Sequence, residues 1–402
     1  MTKKEFQTVE PVLQQLSISQ YGVNYKPFYA WSPGSSHSKI LVLVYPGFLR
    51  LVITSCNLMN IDTIGGDNHW YIHDLPKLAL RARVAAASFE DDFFTHLEAL
   101  NTPSTFLSSI KGLYDFSKVK VHLITSTPGV KAGSEASKHG LLRLRQTVQS
   151  LNLNLASKPP SKLKLEVCMA SIGNLKSKWL NEFRSCALGT PSPAVADPDD
   201  PVPDINLFYP SISDVRDKAS ASAREGASNI GCHLLPWNDA PTAIKQIFHH
   251  YESKDLGCLF HQKFILAYDP TGTDANEEAK PYYLYIGSAN FSQSAWGELK
   301  EDKRASAAAT NHTKLEKMKN FECGVIIPGD LVGPLLEVGT ESWQEGVVCY
   351  DQRAARYELK KDRAWNGEFF LSLFGGELFG MLVSLWTDFV VDPTWVKGVG
   401  GF

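Results

Sequence analysis

Two stretches of the chain carry residue types suited to phosphate chemistry, and carry them in the same order. His37-Ser38-Lys39 is followed by Thr54-Ser55-Cys56-Asn57, and His261-Gln262-Lys263 by Gly287-Ser288-Ala289-Asn290. Side chains alternate along a strand with period two, so a His and a Lys two residues apart leave the same face. Two such faces brought together would set two imidazoles and two ammonium groups around one point. That is a seat for a phosphate oxyanion: Lys supplies fixed charge, Asn and hydroxyls supply donors, and one His can attack while the other handles a proton. A single His-x-Lys in a chain with 11 His is as readily a solvated strand edge. The duplication, each copy with its own hydrophobic run and its own hydroxyl-and-Asn closure, is what points to function.

These residues need rigid elements to hold them. Ile40 to Tyr45 and Leu49 to Thr54, joined across Pro46-Gly47, predict a buried β-hairpin that presents His37 and Lys39 at one end and Asn57 beyond the other. A polar loop from Asp269 to Lys280 interrupts the second hairpin and explains its longer Lys-to-Asn interval. Phe89 to Leu100 reads as an amphipathic helix, Phe106 to Tyr114 as a second, Val119 to Thr125 and Leu163 to Met169 as strands. Ser171-Ile-Gly-Asn174 forms a turn into a helix ending near Phe183, with amides and a hydroxyl suited to a phosphate. Ser292 and Gln293 follow Asn290 at a strand end where they can meet another. Ala243 to Tyr251 reads as helical, and there His249-His250 makes no metal pair because adjacent residues point apart. Lys131, Lys138, His139, Arg143 and Arg145 make a basic cluster that either grips a nucleic-acid backbone or is a solvated helix face.

Composition sets the outer bounds. At 402 residues and 44% hydrophobic, the chain can bury a large core in two domains or two fused halves. The net charge of -3 excludes a wholly basic nucleic-acid coat, so polyanion binding must be local. The 7 Cys lack Cys-x-x-Cys spacing, which suits free thiols in a reducing compartment and no structural zinc. Met1 to Gln20 is too polar and charged for a secretory signal. Phe369 to Val391 has the length of a membrane span, but Glu377, several Gly and the lack of a basic flank favour a helix docked on the core.

At the two His-x-Lys motifs the chain resembles the phospholipase D superfamily, whose site is built from two such motifs on two similar halves. The usual signature continues to an Asp five residues after Lys. Here Val44 and Tyr268 stand at those positions. An Asn further on, in place of the Asp, marks the tyrosyl-DNA phosphodiesterase branch. The segments Gly287 to Gly297, Leu123 to Gly129, Ser171 to Trp179, Phe208 to Arg216 and Phe321 to Val325 resemble the same branch, from about Ser36 to Pro328 overall.

The resemblance implies an α/β fold of two phospholipase D-like halves, each a mixed β-sheet flanked by helices, with the site at the pseudo-two-fold interface. The first half would span residues 1–130, short at its amino end for this family. The second would span 131–402, with disordered inserts near 187–203 and 299–316. By the same resemblance Asp62 would orient His261, Glu322 would orient His37, and Ser171, Asn174, Ser292 and Gln293 would hold DNA. The implied reaction is a hydrolysis without metal or cofactor, through a phosphohistidine, of the bond between a DNA 3′ end and a tyrosine of a stalled type IB topoisomerase, or of other 3′ adducts. The implied partner is single- or double-stranded DNA and not a membrane, for a nuclear monomer. A lipid-cleaving phospholipase D and a non-catalytic DNA-end binding module are the rival readings.

Overall fold

The structure is a computed structural model. It describes residues 30–367 apart from 59–61, 64–65, 80–87, 192–194, 234–236, 256, 273–279, 306–311 and 337–341, with Phe369 and scattered positions before residue 30. The expected apolar carboxyl-terminal run therefore lies outside the described residues, save Phe369. No helix among the described residues is long and apolar enough to cross a membrane.

The strands are β1 (Ile40–Val44), β2 (Phe48–Thr54), β3 (Gly66–Asp67), β4 (Trp70–Pro76), β5 (His122–Ser126), β6 (Lys164–Met169), β7 (Ser171–Ile172) and β8 (Asn206–Phe208). They continue with β9 (Gly231–Cys232), β10 (Phe248–His249), β11 (Leu259–Phe260), β12 (Lys263–Tyr268), β13 (Tyr283–Gly287), β14 (Glu298–Glu301), β15 (Thr313–Glu316) and β16 (Glu322–Pro328). The longer helices are α1 (Ser88–Ala99), α2 (Gly140–Ser150) and α3 (Ser177–Ala187).

A 7-stranded mixed sheet in the order β10-β8-β6-β12-β13-β16-β5 forms the centre. β12 is buried along its whole length. It lies antiparallel between β6, with Lys263 opposite Met169, and β13, with Phe264 opposite Ile286. A strand covered on both faces needs a continuous apolar run, which Phe264-Ile-Leu-Ala267 supplies. β5, from the amino-terminal third, closes the edge against β16. The predicted hairpin is β1 and β2, with Ile40 opposite Ile53, and β4 extends it to a 3-stranded antiparallel sheet; β2 is largely buried as expected, but β1 is not, because it forms the sheet's edge and leaves Leu43 and Val44 exposed.

Two adjoining features bring the sheets together. β3 and β11 pair in parallel immediately before His261. Gly287 faces Gly324 across β13 and β16, where a Cβ on Gly287 would lie 2.4 Å from the Cα of Gly324. The ring of Tyr285 lies over Gly324, and a Cβ there would meet it at 2.4 Å. Only glycine allows this packing, and it sets Ser288 beside Glu322.

Three expectations change. Residues 243–251 are a short helix, Thr242–Lys245, followed by β10, because Phe248 pairs with Leu207 at the sheet edge. The segment 299–316, expected as a disordered insert, starts and ends in the hairpin strands β14 and β15, with Leu299 opposite Leu315 and both fully buried. The second helix spans only Ser104–Ser108. Around 187–203 the described residues lie against α3, where Asn181 Nδ2 donates to the Pro201 carbonyl at 2.8 Å. Gln149 on α2 also holds the Thr190 carbonyl, at 2.9 Å.

Candidate active site

β1 is preceded by His37 and Lys39, β2 is followed by Asn57, β11 is followed by His261, and β12 begins with Lys263. The two sheets meet at these ends, and each His is held by residues far away in sequence. His37 Nδ1 is 2.9 Å from Glu322 Oε2, and His37 N donates to the Phe321 carbonyl at 3.0 Å. His261 Nδ1 is 3.0 Å from the Ser55 carbonyl, and its Nε2 is 3.3 Å from Asn57 Nδ2.

The two lysines repeat one another. Lys39 Nζ donates to the carbonyl of His37 at 2.9 Å, and Lys263 Nζ to that of His261 at 2.6 Å. Lys263 Nζ also lies 3.0 Å from His261 Nδ1 and 3.3 Å from the Ser55 carbonyl. Burial pulls Lys39 down to about 8, against the opposing pull of Glu322, Asp62 and Cys56. Burial, with repulsion from Lys39, pushes Lys263 well below its ordinary value. The same burial, with Lys263, Lys39 and His37 nearby, holds His261 well below the usual imidazole range. That environment favours the neutral imidazole.

Glu322 is 1% exposed. Burial by itself would raise its pKa, but the His37 imidazole and the hydrogen bonds it receives outweigh that and hold it below the usual range. Those bonds come from Ser288 Oγ at 2.5 Å and Asn320 Nδ2 at 3.0 Å. Asp62, 2% exposed, accepts from Asn57 Nδ2 at 2.7 Å and from Asn229 Nδ2 at 3.0 Å. Its Oδ2 stands 4.0 Å from His261 Nδ1, so Asn57 forms the link between Asp62 and His261.

Asn290 follows Ser288, the hydroxyl donor to Glu322, on the loop after β13. Its Oδ1 accepts from Ser171 N at 3.0 Å, which leaves Nδ2 as the donor. Ser171 and Ser292 are neighbours there, because Ile172 pairs with Phe291 and Gly173 packs on Ser292. The Ser292 hydroxyl accepts from Ala295 N at 3.3 Å, Gln293 opens the short helix it caps, and Asn174 is exposed.

The basic cluster after residue 130 is largely engaged within the protein. Lys138 pairs with Glu135, Arg143 reaches Asp92 and the Leu123 carbonyl, Arg145 donates to the Pro191 carbonyl, and His139 is buried. Among the described residues, no group of three or more His, Cys, Asp and Glu could hold a metal ion. Sequence reasoning missed Asn229, Asn320 and Asn68, whose Oδ1 accepts from Ser55 Oγ at 2.8 Å and whose Nδ2 donates to the Asp62 carbonyl at 2.7 Å; lone amides have no pattern to mark them. Ser288, by contrast, sits inside the repeated hydroxyl-and-Asn closure.

The tyrosyl-DNA phosphodiesterase family model matches residues 2–366. Tyrosyl-DNA phosphodiesterase 1 of Arabidopsis thaliana is 25% identical over 321 residues, covering 75% of this chain and 48% of that protein. The Drosophila melanogaster protein of the same name is 24% identical over 307 residues, covering 73% and 49%. The chain thus spans about half the length of these curated relatives. Among solved structures, yeast tyrosyl-DNA phosphodiesterase superposes with a TM-score of 0.58 at 14% identity, covering 82% of this chain and 78% of that one. At that identity the likeness speaks for the fold, which is phospholipase D-like.

Proposed function

The chain belongs to the tyrosyl-DNA phosphodiesterase family, and on that premise we propose that it hydrolyses the phosphodiester joining a DNA 3′ end to a tyrosine. The observation that carries this reading is the cross-linking of the two motifs: His37 is held by Glu322, and His261 by Ser55 and Asn57. One nucleophile and one proton carrier, each held by residues distant in sequence, stand in one cluster with Lys39, Lys263 and Asn57.

Glu322 occupies Nδ1 of His37, so Nε2 attacks phosphorus in line and forms a phosphohistidine. The tyrosine oxygen leaves with a proton from His261, which His261 takes up once the anionic substrate offsets the repulsion from Lys263 and Lys39. His261 then accepts a proton from a water that attacks phosphorus and frees His37, leaving a 3′-phosphate. Lys39, Lys263, Asn57 and Asn290 hold the non-bridging oxygens where charge builds; removing one such donor costs on the order of 100-fold or more in rate. Ser171, Asn174, Ser292 and Gln293 hold the DNA strand on the Asn290 side. The peptide left on a 3′ end by a type IB topoisomerase is the substrate that fits this chemistry, with other 3′ adducts as lesser ones. Such damage places the protein in the nucleus, acting as a monomer on single- or double-stranded ends.

The test incubates the purified chain, in EDTA, with an oligonucleotide bearing a 3′-phosphotyrosine, beside phosphatidylcholine vesicles. Release of a 3′-phosphate end is expected, abolished in His37→Ala and replaced by a trapped protein-DNA adduct in His261→Asn. Lipid turnover without oligonucleotide cleavage would overturn the substrate class.

A further inference from the structure

His96 takes no part in the chemistry above, yet it is one of the most enclosed polar side chains beside the site. It lies on α1, is 2% exposed, and its Nε2 is 2.9 Å from Ser38 Oγ. Its ring meets that of Phe321 edge-on, with centroids 6.4 Å apart. Ser38 stands between His37 and Lys39. Phe321 precedes Glu322, and its carbonyl accepts the backbone N–H of His37 at 3.0 Å. One imidazole thus touches both segments whose mutual placement sets the hydrogen bond of His37 with Glu322.

The reverse side of the His37 segment gives this contact its weight. A side chain at i+1 points away from those at i and i+2 in extended backbone, so Ser38 faces away from the site. That face borders a cavity of about 830 Å³ lined by Ser36, Ser38, Ile40, Val42, Leu97 and Phe106. Backbone bonds from His37 N to the Phe321 carbonyl and from Thr54 N to the Lys39 carbonyl tie the segment's main chain, and the hydrogen bond to α1 holds its outer, groove-facing side. Burial pulls the His96 imidazole down to about 3, so it stays neutral and acts by geometry.

We propose that His96 is a positioning residue: through Ser38 and Phe321 it fixes the segment carrying His37 and Lys39 against the strand carrying Glu322. The proposal rests on the reading of this site as a phosphodiesterase. In-line attack needs reacting atoms about 3–3.5 Å apart, and a displacement of about 1 Å lowers the rate by about 100-fold.

The variants are His96→Phe, which keeps a ring against Phe321 but removes the hydrogen bond, His96→Gln, whose amide nitrogen falls where Nε2 was, and Ser38→Ala. Expected for His96→Phe and Ser38→Ala is a fall in kcat of roughly 10- to 100-fold with KM moved less than about twofold. The double variant falls no further than either single one, and His96→Gln recovers most of the rate. A second readout needs no turnover: the downfield proton resonance of the His37 Nδ1–H bonded to Glu322, expected to broaden or vanish in His96→Phe and to return in His96→Gln. Folded His96→Phe with wild-type kcat, additive losses in the double variant, or an unchanged resonance would each overturn the proposal. If the wild-type chain leaves the oligonucleotide intact while the resonance responds as expected, the proposed reaction fails and the positioning role stands.

Discussion

Replacing Glu322 with Gln separates the charge of this residue from its shape. The carboxylate receives hydrogen bonds from His37 Nδ1 at 2.9 Å, Ser288 Oγ at 2.5 Å and Asn320 Nδ2 at 3.0 Å. Glutamine can keep an oxygen towards His37 and Ser288, but its amide nitrogen then faces Asn320 Nδ2. Asn320 cannot answer by turning over, because its Oδ1 already accepts from Ser35 N at 3.0 Å. The variant therefore loses one hydrogen bond and the negative charge opposite an imidazole that turns cationic on phosphorylation. A charge-assisted hydrogen bond contributes about 1.5–3 kcal/mol, a neutral one about 1. The transition state is then weakened by about 1–2 kcal/mol, or roughly 5- to 30-fold in rate. Single-turnover cleavage of a 3′-phosphotyrosyl oligonucleotide under saturating enzyme reads this directly, with urea unfolding alongside to show that the variant is folded. The same change alters stability against pH. The folded carboxyl of Glu322 is held below its unfolded value, so its contribution is present above the unfolded pKa and lost as pH falls through the folded one. Glu322→Gln should flatten that acid limb. A folded Glu322→Gln that cleaves at the wild-type rate would refute the part assigned to the Glu322 carboxylate.

The other predictions follow from separate contacts. Burial pulls the Lys39 ammonium down to about 8, so kcat/KM should fall as pH rises past about 8, and Lys39→Arg should carry activity to higher pH at a reduced rate. Asn229→Ala leaves one oxygen of buried Asp62 without its 3.0 Å donor, so activity should fall while Asp62→Asn, which keeps the size and loses the charge, falls further in the same assay. Phe183 is fully buried against Trp179, Phe291 and Trp296, so Phe183→Ala should lose about 3–5 kcal/mol in urea unfolding. His250 lies 2.7 Å from Asp214 and 3.1 Å from Asp362, and its pKa is raised chiefly by the bond to Asp214. Its stabilisation is present below the unfolded imidazole pKa and fades as pH rises through the folded one, and His250→Gln should abolish that slope.

The duplicated His-x-Lys, each with its apolar run and its closing Asn, marked the residue types for phosphate chemistry from sequence alone, and the resemblance they carry implied the α/β fold. Period-two alternation and continuous apolar runs are local properties, and β1, β2, β6 and β12 fall where these place them. Local pattern failed where an element is too short or too charged to show a period. β10 has two residues and becomes a strand only because β8 offers it an edge. β14 and β15 fall where a disordered insert was expected, but Leu299 and Leu315 are buried, and Glu298 is held by Lys178, Lys300 and Lys317.

Tertiary structure alone decided how the site is held. No spacing in the chain says that the His37 ring meets Glu322, that Asp62 reaches His261 by way of Asn57, or that Asn229 and Asn320 complete the two carboxylates. The decisive ones, His37 to Glu322, Asn57 to His261 and Asn229 to Asp62, join residues far apart in sequence, and a hydrogen bond depends on distance and angle in space, to which sequence separation is indifferent. The depressed pKa values of Lys39, Lys263 and His261 belong to the same class, since burial and mutual repulsion exist only once the two sheets have closed around them.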